Sequence, residues 1–102
     1  METSGKVSDV EESLKKLGGM KGAVGGFVMT LEGEIIKSTL DPTTTSQYSN
    51  ILGTLINQAI TMFKEMDPAN DVTFMRVRTK KCQFMVVPDN DFLFIVVQNN
   101  ND

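Results

Sequence analysis

The longest amphipathic stretch of the chain covers residues 43–66 and predicts one long helix. When each residue is placed about 100° after the previous one, the apolar side chains sweep roughly half of the helix circumference. A helix that packs on one sheet needs an apolar stripe only somewhat wider than about 100°. The excess predicts a second buried contact, most simply with another copy of the same chain. The apolar positions are Tyr48, Ile51, Leu52, Leu55, Ile56, Ala59, Ile60, Met62, Phe63 and Met66.

This apolar arc has a centre and two margins. If the centre packs on a sheet, one margin is not needed for the core. The sequence leaves open which margin faces the sheet and which faces a partner. Methionine suits a partner surface, because its flexible thioether adapts to irregular shapes. The centre holds Leu52, Leu55, Ala59, Phe63 and Met66, one margin holds Ile51 and Met62, and the other holds Ile56 and Ile60.

Both ends of the helix carry boundary signals. Thr44 and Gln47 have the spacing of a capping box, so the helix is expected to begin beside them. Asp67 precedes Pro68, and proline disfavours helical geometry in the residue before it. The helix is therefore expected to end at Met66.

Two short runs before the helix and three after it predict five strands. The last run, FLFIVV, is continuously apolar, which is typical of a central strand covered on both faces. The run after the helix mixes charged and apolar residues and predicts an edge strand. Pairing that edge with the same strand of a second copy would extend one sheet through both copies. The predicted strands cover residues 23–30, 35–39, 72–79, 83–87 and 92–97.

Near the N-terminus, Val10, Leu14 and Leu17 recur at helical spacing and predict a short helix that ends at Gly18-Gly19. The element order α-β-β-α-β-β-β predicts an α+β fold. We expect a five-strand, mostly antiparallel sheet with the long helix on one face and the short helix on the other. Residues 8–99 are expected to form a single domain, with flexible tails at 1–7 and 100–102.

Composition narrows the class of protein. The chain has 102 residues and a net charge of −3, which suits one domain and argues against binding nucleic acid. It contains no apolar run of membrane-spanning length, and no secretory signal is visible at its start. A single cysteine, Cys82, fits a reducing cytosolic setting.

The residues offer little catalytic chemistry. Because the chain has no histidine and one cysteine, Ser-His and Cys-His dyads and zinc sites of the Cys/His type are excluded. The glycines match neither a P-loop nor a dinucleotide fingerprint. The sequence therefore predicts a protein that is not an enzyme and has no catalytic, cofactor-binding or metal-binding residues. The one basic cluster is either a solvated strand face or a docking surface for an acidic partner segment: Arg76, Arg78, Lys80 and Lys81.

Several strings of residues resemble a known family. The element order, Gly22-x-x-Gly25 at the first strand and the Gly33 hairpin followed by IIKST are similar to the roadblock domain. Within that family, DPTTTSQY (41–48), DPANDVTFMRVRTKK (67–81) and MVVPDNDFLFIVVQN (85–99) resemble the dynein light chain of roadblock type. The resemblance covers residues 10–99, nearly the whole chain.

The resemblance implies a homodimer formed by the long helix and an adjacent strand, with one ten-strand sheet across the pair. It also implies binding to a segment of the dynein intermediate chain, and no cofactor. Carried onto this sequence, the dimer contacts fall on residues 44–66 and 72–78. The resulting interface candidates are Tyr48, Ile51, Leu52, Leu55, Ala59, Met62, Val72, Phe74, Arg76 and Arg78, and the partner-docking candidates are Arg76, Arg78, Lys80 and Lys81.

The expected function is that of a non-catalytic, homodimeric accessory light chain of the dynein microtubule motor, which binds the intermediate chain and helps to link cargo. The expected location is the cytoplasm, with the cytoskeletal motor complex. Gly18-Gly19-Met20 and the asparagine-rich C-terminus depart from the family, so the choice between a cytoplasmic and an axonemal motor stays open. The alternative is a roadblock-domain scaffold or regulator of a small GTPase.

Overall fold

The structure, a computed structural model, describes residues 23–100 of the chain. The predicted N-terminal tail and short helix lie outside the described residues, as do the last two positions. Five strands form one antiparallel sheet in the order β2-β1-β5-β4-β3, which confirms the predicted α+β architecture. The elements are β1 (Ala23–Thr30), β2 (Ile35–Ser38), α1 (Pro42–Met66), β3 (Met75–Arg78), β4 (Cys82–Asp89) and β5 (Phe92–Asn99).

The edge strand β3 is shorter than the sequence predicts. Its register places Met75 opposite Val86 on β4, so an extension would bring Thr73 opposite Pro88. Proline has no backbone N–H to donate to a neighbouring strand. The predicted strand start at residue 72 is therefore wrong, and residues 72–74 lead into the strand without joining it.

Two tight turns shape the rest of the sheet. Gly33 lies between β1 and β2 with a φ of 103°, a conformation that glycine adopts at little cost. Asn90 has a φ of 58° between β4 and β5 and, with Asp91, closes a two-residue hairpin loop. Asn100, predicted to begin a flexible tail, instead donates from Nδ2 to the carbonyl oxygens of Thr79 and Lys80 at 2.9 and 3.1 Å.

Helix α1 begins two residues before the predicted capping box. Asp41 is its N-cap, since its carboxylate accepts from the Thr44 N–H at 2.9 Å and Pro42 occupies the first turn, where a missing N–H costs nothing. Hydrogen bonds from the Thr44 side chain and then its backbone N–H hold the pKa of Asp41 below its ordinary value. At the other end Asp67 caps the helix through its N–H to the Phe63 carbonyl, as the following proline predicts.

Hydroxyl and amide groups fix α1 against the β1–β2 hairpin. The hydroxyls of Ser38 and Thr45 lie 2.7 Å apart, and that of Thr45 also donates to the Asp41 carbonyl. In the middle of the helix, Asn57 Nδ2 donates to the Leu31 carbonyl at 3.0 Å. These bonds at the helix start and at its centre hold the helix in place relative to the sheet.

The main core lies between α1 and the sheet. Leu52 and Ile56 are the buried apolar residues of the helix, and Ile60 packs beside them. Tyr48 adds an edge-to-face contact with Phe84, with ring centroids 4.9 Å apart. The margin with Ile56 and Ile60 therefore faces the sheet. The sheet contributes Phe27, Met29, Phe84, Val86, Leu93, Ile95 and Val97 to this core.

Three residues assigned to the helix core by the sequence are exposed instead: Leu55, Phe63 and Met66. Every residue from 61 to 66 is exposed, so no side chain in the last part of α1 is buried by residues 23–100. Leu55 points about 100° away from Ile56, because adjacent helical residues differ by that angle.

The opposite face of the sheet is apolar as well. Val28 and Phe94 are buried there, with Ile36, Val87 and Phe92 packed against them. Strand β5 is thus buried on both faces, which confirms the prediction of a central strand. Within residues 23–100, no helix has both the length and the apolar character needed to cross a membrane.

Candidate interaction surface

Helix α1 carries a second apolar stripe that its own sheet does not cover. Ile51, Leu55, Met62 and Met66 are 65%, 41%, 63% and 80% exposed. At about 100° per residue these four positions lie within roughly 60° of one another, and about 100° from the buried side of the helix. They are called the exposed stripe below. Large apolar side chains grouped on one surface mark an interaction site more often than scattered ones do.

Beside the N-terminal half of this stripe lies an apolar groove of about 530 Å³. Helix α1 forms one wall and the β3–β4 hairpin forms the other. Lys80 and Lys81 lie at the hairpin end of the groove, and the half-buried thiol of Cys82 lies 3.8 Å from the Thr79 hydroxyl. The lining residues are Tyr48, Ile51, Leu52, Leu55, Val77, Thr79, Lys80, Lys81, Cys82 and Phe84.

Strand β3 lies at the edge of the sheet next to this groove. Its two faces differ in chemistry, because successive side chains of a strand point in opposite directions. Met75 and Val77 pack on the core under α1. Arg76 and Arg78 alternate with them and point to the other face.

An aromatic ring continues the arginine side of β3. The guanidinium carbon of Arg76 lies 5.9 Å from the centroid of the Phe74 ring, and Nη2 of Arg76 lies 3.6 Å from the Met85 sulfur. A guanidinium at this distance from an aromatic face is attracted by the ring. We call Phe74, Arg76 and Arg78 the basic row.

No group of three or more metal-ligating side chains lies close together among residues 23–100. An exposed ion pair joins Lys64 and Asp71 at 2.6 Å, near the end of α1. The expectations of no enzyme activity and no cofactor stay predictions.

Comparison with known proteins identifies the domain. The family model for the Roadblock/LC7 domain matches residues 9–99. The chain belongs to the Roadblock/LC7 domain family. The finer resemblance to dynein light chains stays a prediction.

Several solved structures share this fold at low sequence identity. The Roadblock/LC7 domain from Streptomyces avermitilis is 12% identical, with a TM-score of 0.74 over 84% of this chain and 74% of that one. A structure described as MglB with tetrameric arrangement is 11% identical, with a TM-score of 0.72 over 91% and 72%. The gliding protein MglB from Thermus thermophilus is 10% identical, with a TM-score of 0.71 over 91% and 73%. At these identities the likeness establishes the fold alone.

The structure of this roadblock domain separates the interface candidates by their burial. Ile51, Leu55 and Met62 lie on the exposed stripe, and their contact with a second copy stays a prediction. Leu52 is 3% exposed and belongs to the core, because it lies one helical turn from Ile56 and points the same way. Val72 is partly buried and packs against the core. Five candidates remain. Tyr48 and Ala59 are half-buried, whereas Phe74, Arg76 and Arg78 are exposed.

The four docking cations do not form one patch. Arg76 and Arg78 point away from α1, whereas Lys80 and Lys81 lie in the β3–β4 turn and line the groove on the helix side. Sequence proximity suggested a single cluster, but strand alternation and the turn divide it.

Sequence reasoning missed the groove and the outward position of Met66. The groove depends on how far α1 lies from the β3–β4 hairpin, which no local pattern encodes. The outward position of Met66 could have been predicted from spacing, since Met66 continues the stripe four residues after Met62.

Proposed function

We propose that this roadblock domain is a non-catalytic scaffold subunit that pairs with a second copy through α1 and β3. The observation that carries the proposal is the exposed stripe beside an open groove and an edge strand. Each of these features lacks a partner among residues 23–100, and all three adjoin one another. A second copy supplies the matching helix and the matching strand at once.

The pairing follows from the geometry of the edge. Strand β3 offers backbone groups on its outer side that the same strand of a second copy can pair with in antiparallel fashion. A two-fold axis perpendicular to the sheet then continues one sheet through both copies and sets both α1 helices on the same face. MglB, a relative of the same fold, is described in a tetrameric arrangement, which supports self-association in this fold.

The paired unit presents its docking surface twice. When two β3 strands lie side by side, each copy presents its own basic row on the sheet face away from α1. The basic row carries positive charge on an exposed surface, so a negatively charged segment is the partner that this surface suits. The basic row also offers the half-exposed Phe74 ring, which suits an acidic segment that carries apolar side chains.

The first candidate partner is the dynein intermediate chain. The three strings that resemble the dynein light chain form the start of α1, the region of β3 and the β4–β5 hairpin, so one of them contains the edge strand of the proposed pairing. Two linked intermediate chains would occupy both docking surfaces, and linkage raises the effective concentration for the second binding event. On this proposal the protein works in the cytoplasm with a microtubule motor and helps to link cargo, and the axoneme is the other setting of such motors.

The second candidate is a scaffold or regulator of a small GTPase, a role that roadblock domains also have. The fold likeness to bacterial structures favours this candidate, because the relatives described above include a gliding protein and no motor subunit. Both candidates use the same paired unit and differ in the macromolecule that it binds.

Two measurements test the proposal. Sedimentation equilibrium of the full chain is expected to give a dimer at micromolar concentration, and a monomer at every concentration would refute the pairing. Binding is then measured to an intermediate-chain segment and to a small GTPase whose hydrolysis rate is followed. Tight segment binding without a change in hydrolysis supports the motor role, and the reverse result supports the GTPase role.

A pair of charge reversals tests the docking surface. Arg76→Glu is expected to weaken segment binding at least tenfold, because it replaces attraction with repulsion. Lys81→Glu makes the same change of charge on the groove side and is expected to leave segment binding nearly unchanged. Equal effects of both variants would contradict docking on the basic row.

A further inference from the structure

We propose that a cleft near the end of α1 binds an arginine side chain of a partner polypeptide. The cleft has a volume of about 440 Å³, which lies within the range of ligand pockets. It is bounded by the last part of α1, the segment before β3 and the β4–β5 turn, and Ile60, Val72, Asp71 and Asp89 are among the residues that line it. We call it the acidic cleft.

The acidic cleft is separate from the surfaces described above. Its lining residues differ from those of the apolar groove, the exposed stripe and the basic row. The groove lies beside the β3–β4 turn, whereas the cleft lies beside the β4–β5 turn, at the other end of β4. The proposal therefore goes beyond the pairing of two copies and does not depend on it.

The inner surface of the cleft is apolar. Four half-buried residues from different parts of the fold contribute to it: Leu31, Ile60, Val72 and Pro88. Leu31, Ile60 and Val72 also pack against the core, so the core fixes their positions. A long cationic side chain can lay its methylene groups along such a surface while its charged end stays at the rim.

The rim of the cleft is polar and carries a negative charge. Nζ of Lys64 lies 2.6 Å from a carboxylate oxygen of Asp71 and donates to the carbonyl oxygen of Pro68 at 3.3 Å, so the charges of Lys64 and Asp71 offset each other. The exposed carboxylate of Asp89 accepts from Nδ2 of its neighbour Asn90 at 3.2 Å. An amide donor does not neutralise a carboxylate, so a cation is the group that this rim suits.

The surroundings of the cleft have the same sign of charge. Residues 64–71 and 88–91 hold five of the 13 acidic residues of the chain and one of its ten basic residues, Lys64. A surface of one sign attracts oppositely charged partners before contact. The acidic residues are Glu65, Asp67, Asp71, Asp89 and Asp91.

Arginine fits this rim better than lysine does. The carboxylate of Asp89, the amide oxygen of Asn90 and the hydroxyl of Thr73 are all acceptors on residues that line the cleft. A planar guanidinium has five N–H donors and can bind several acceptors at once, whereas an ammonium group has three. One arginine fills only part of the cleft, so adjacent residues of the same polypeptide can cover the rest of its apolar surface.

Two peptides of equal length test the proposal. The probe is acetyl-Ala-Leu-Arg-Leu-Ala-amide, and the control peptide carries glutamine in place of arginine. Binding to the full chain is followed by nuclear magnetic resonance, and the probe is expected to shift the amide resonances of residues at the cleft such as Val72, Thr73 and Asp89. The control peptide is expected to bind about fivefold more weakly, the upper value for an exposed ion pair. Equal affinities would overturn the role of the charge, and shifts confined to the groove or the basic row would overturn the site.

A matched pair of variants in one turn tests the carboxylate. Asp89→Asn removes the charge at the rim and is expected to weaken binding of the arginine peptide about fivefold. Asp91→Asn makes the same change two residues away, outside the cleft lining, and is expected to weaken binding by less than about twofold, because salt screens a more distant charge. Both substitutions keep the size of the side chain, so the fold is expected to be retained. Equal weakening by both variants would indicate a diffuse acidic surface and would overturn the proposal.

A third variant tests the charge balance at the rim. Lys64→Met keeps most of the side chain but removes its charge, which leaves Asp71 without its cation. Binding of the arginine peptide is expected to become about twofold tighter or more. Weaker or unchanged binding would contradict the account of the rim.

Free argininamide tests the choice of a polypeptide as the partner. It is expected to bind about fivefold more weakly than the arginine peptide, or weaker still, because it lacks the neighbouring apolar side chains. Equal affinity would make a small molecule the ligand and would overturn that choice. A dimer in sedimentation together with no binding of the arginine peptide would overturn this inference and leave the proposed function standing.

Discussion

Two isoleucines on α1 allow the division between core and interface to be measured with one type of substitution. Ile56 is fully buried against the sheet, and Ile51 lies on the exposed stripe five residues earlier. Replacing each with alanine removes the same atoms from the same helix. The two variants therefore differ only in what those atoms touch.

The two substitutions are expected to change the free energy of unfolding by very different amounts. Ile56→Ala leaves a cavity in a closed core, and such substitutions cost about 2–5 kcal/mol of the free energy of unfolding. That is a large part of the roughly 5–15 kcal/mol that stabilises an ordinary domain. Ile51→Ala removes mostly exposed atoms, so the free energy of unfolding of the monomer is expected to change by no more than about 0.5 kcal/mol.

For self-association, Ile51→Ala is expected to have a large effect. About two-thirds of the Ile51 side chain is still available for burial, which is worth roughly 1–2 kcal/mol per copy. Since a two-fold interface contains the residue twice, the dimer should lose about 2–4 kcal/mol, or roughly 30- to 700-fold in dissociation constant.

Urea unfolding followed by circular dichroism measures the first quantity, at protein concentrations low enough for the monomer to dominate. Sedimentation equilibrium measures the second. The reasoning fails if Ile51→Ala lowers the unfolding free energy as much as Ile56→Ala does. It also fails if Ile51→Ala leaves the dimer dissociation constant unchanged.

Three further substitutions test particular contacts. Gly25→Ala is expected to cost about 1–3 kcal/mol in urea unfolding, since the new Cβ would lie 2.7 Å from Leu40 Cδ2 in packed structure. Gly53→Ala is expected to change the free energy of unfolding by less than about 1 kcal/mol. The new Cβ would lie 2.9 Å from the terminal methyl group of Met29, which has to move, but alanine also favours the helix more than glycine does. A loss as large as that of Gly25→Ala would contradict this expectation. The folded-state pKa of Asp41 is lowered, so its charge stabilises the fold above the unfolded pKa of about 3.9, and this contribution disappears as the pH falls through the folded pKa. The urea midpoints of Asp41→Asn and the unaltered chain are therefore expected to differ at pH 6 and to converge as the pH falls through the folded pKa of Asp41, and a difference that does not depend on pH would refute the role of the charge.

Local patterns in the sequence were enough for the elements and for much of their arrangement. The continuous apolar run of β5 predicted a strand covered on both faces, because every side chain there has to leave water. The alternating charges of β3 predicted an edge for the opposite reason. The width of the apolar arc on α1 predicted more buried contact than one sheet supplies.

Other features were not predicted from the sequence. The true start of β3 is set by Pro88, which lies on a different strand and has no N–H to offer. The N-cap of α1 is Asp41 rather than the predicted capping box, since Pro42 already fits the first turn. The four docking cations separate because strand alternation and the β3–β4 turn send them to different faces.

The sequence by itself determined that α1 is apolar over half of its circumference, since that follows from side-chain identity and helical periodicity alone. Only the tertiary structure decided how the helix is rotated about its axis. That rotation is fixed by the fit of Leu52 and Ile56 against the sheet and by the hydrogen bond from Asn57 to the β1–β2 turn. It leaves Ile51, Leu55, Met62 and Met66 facing outward, because a helix can press only one side against one sheet.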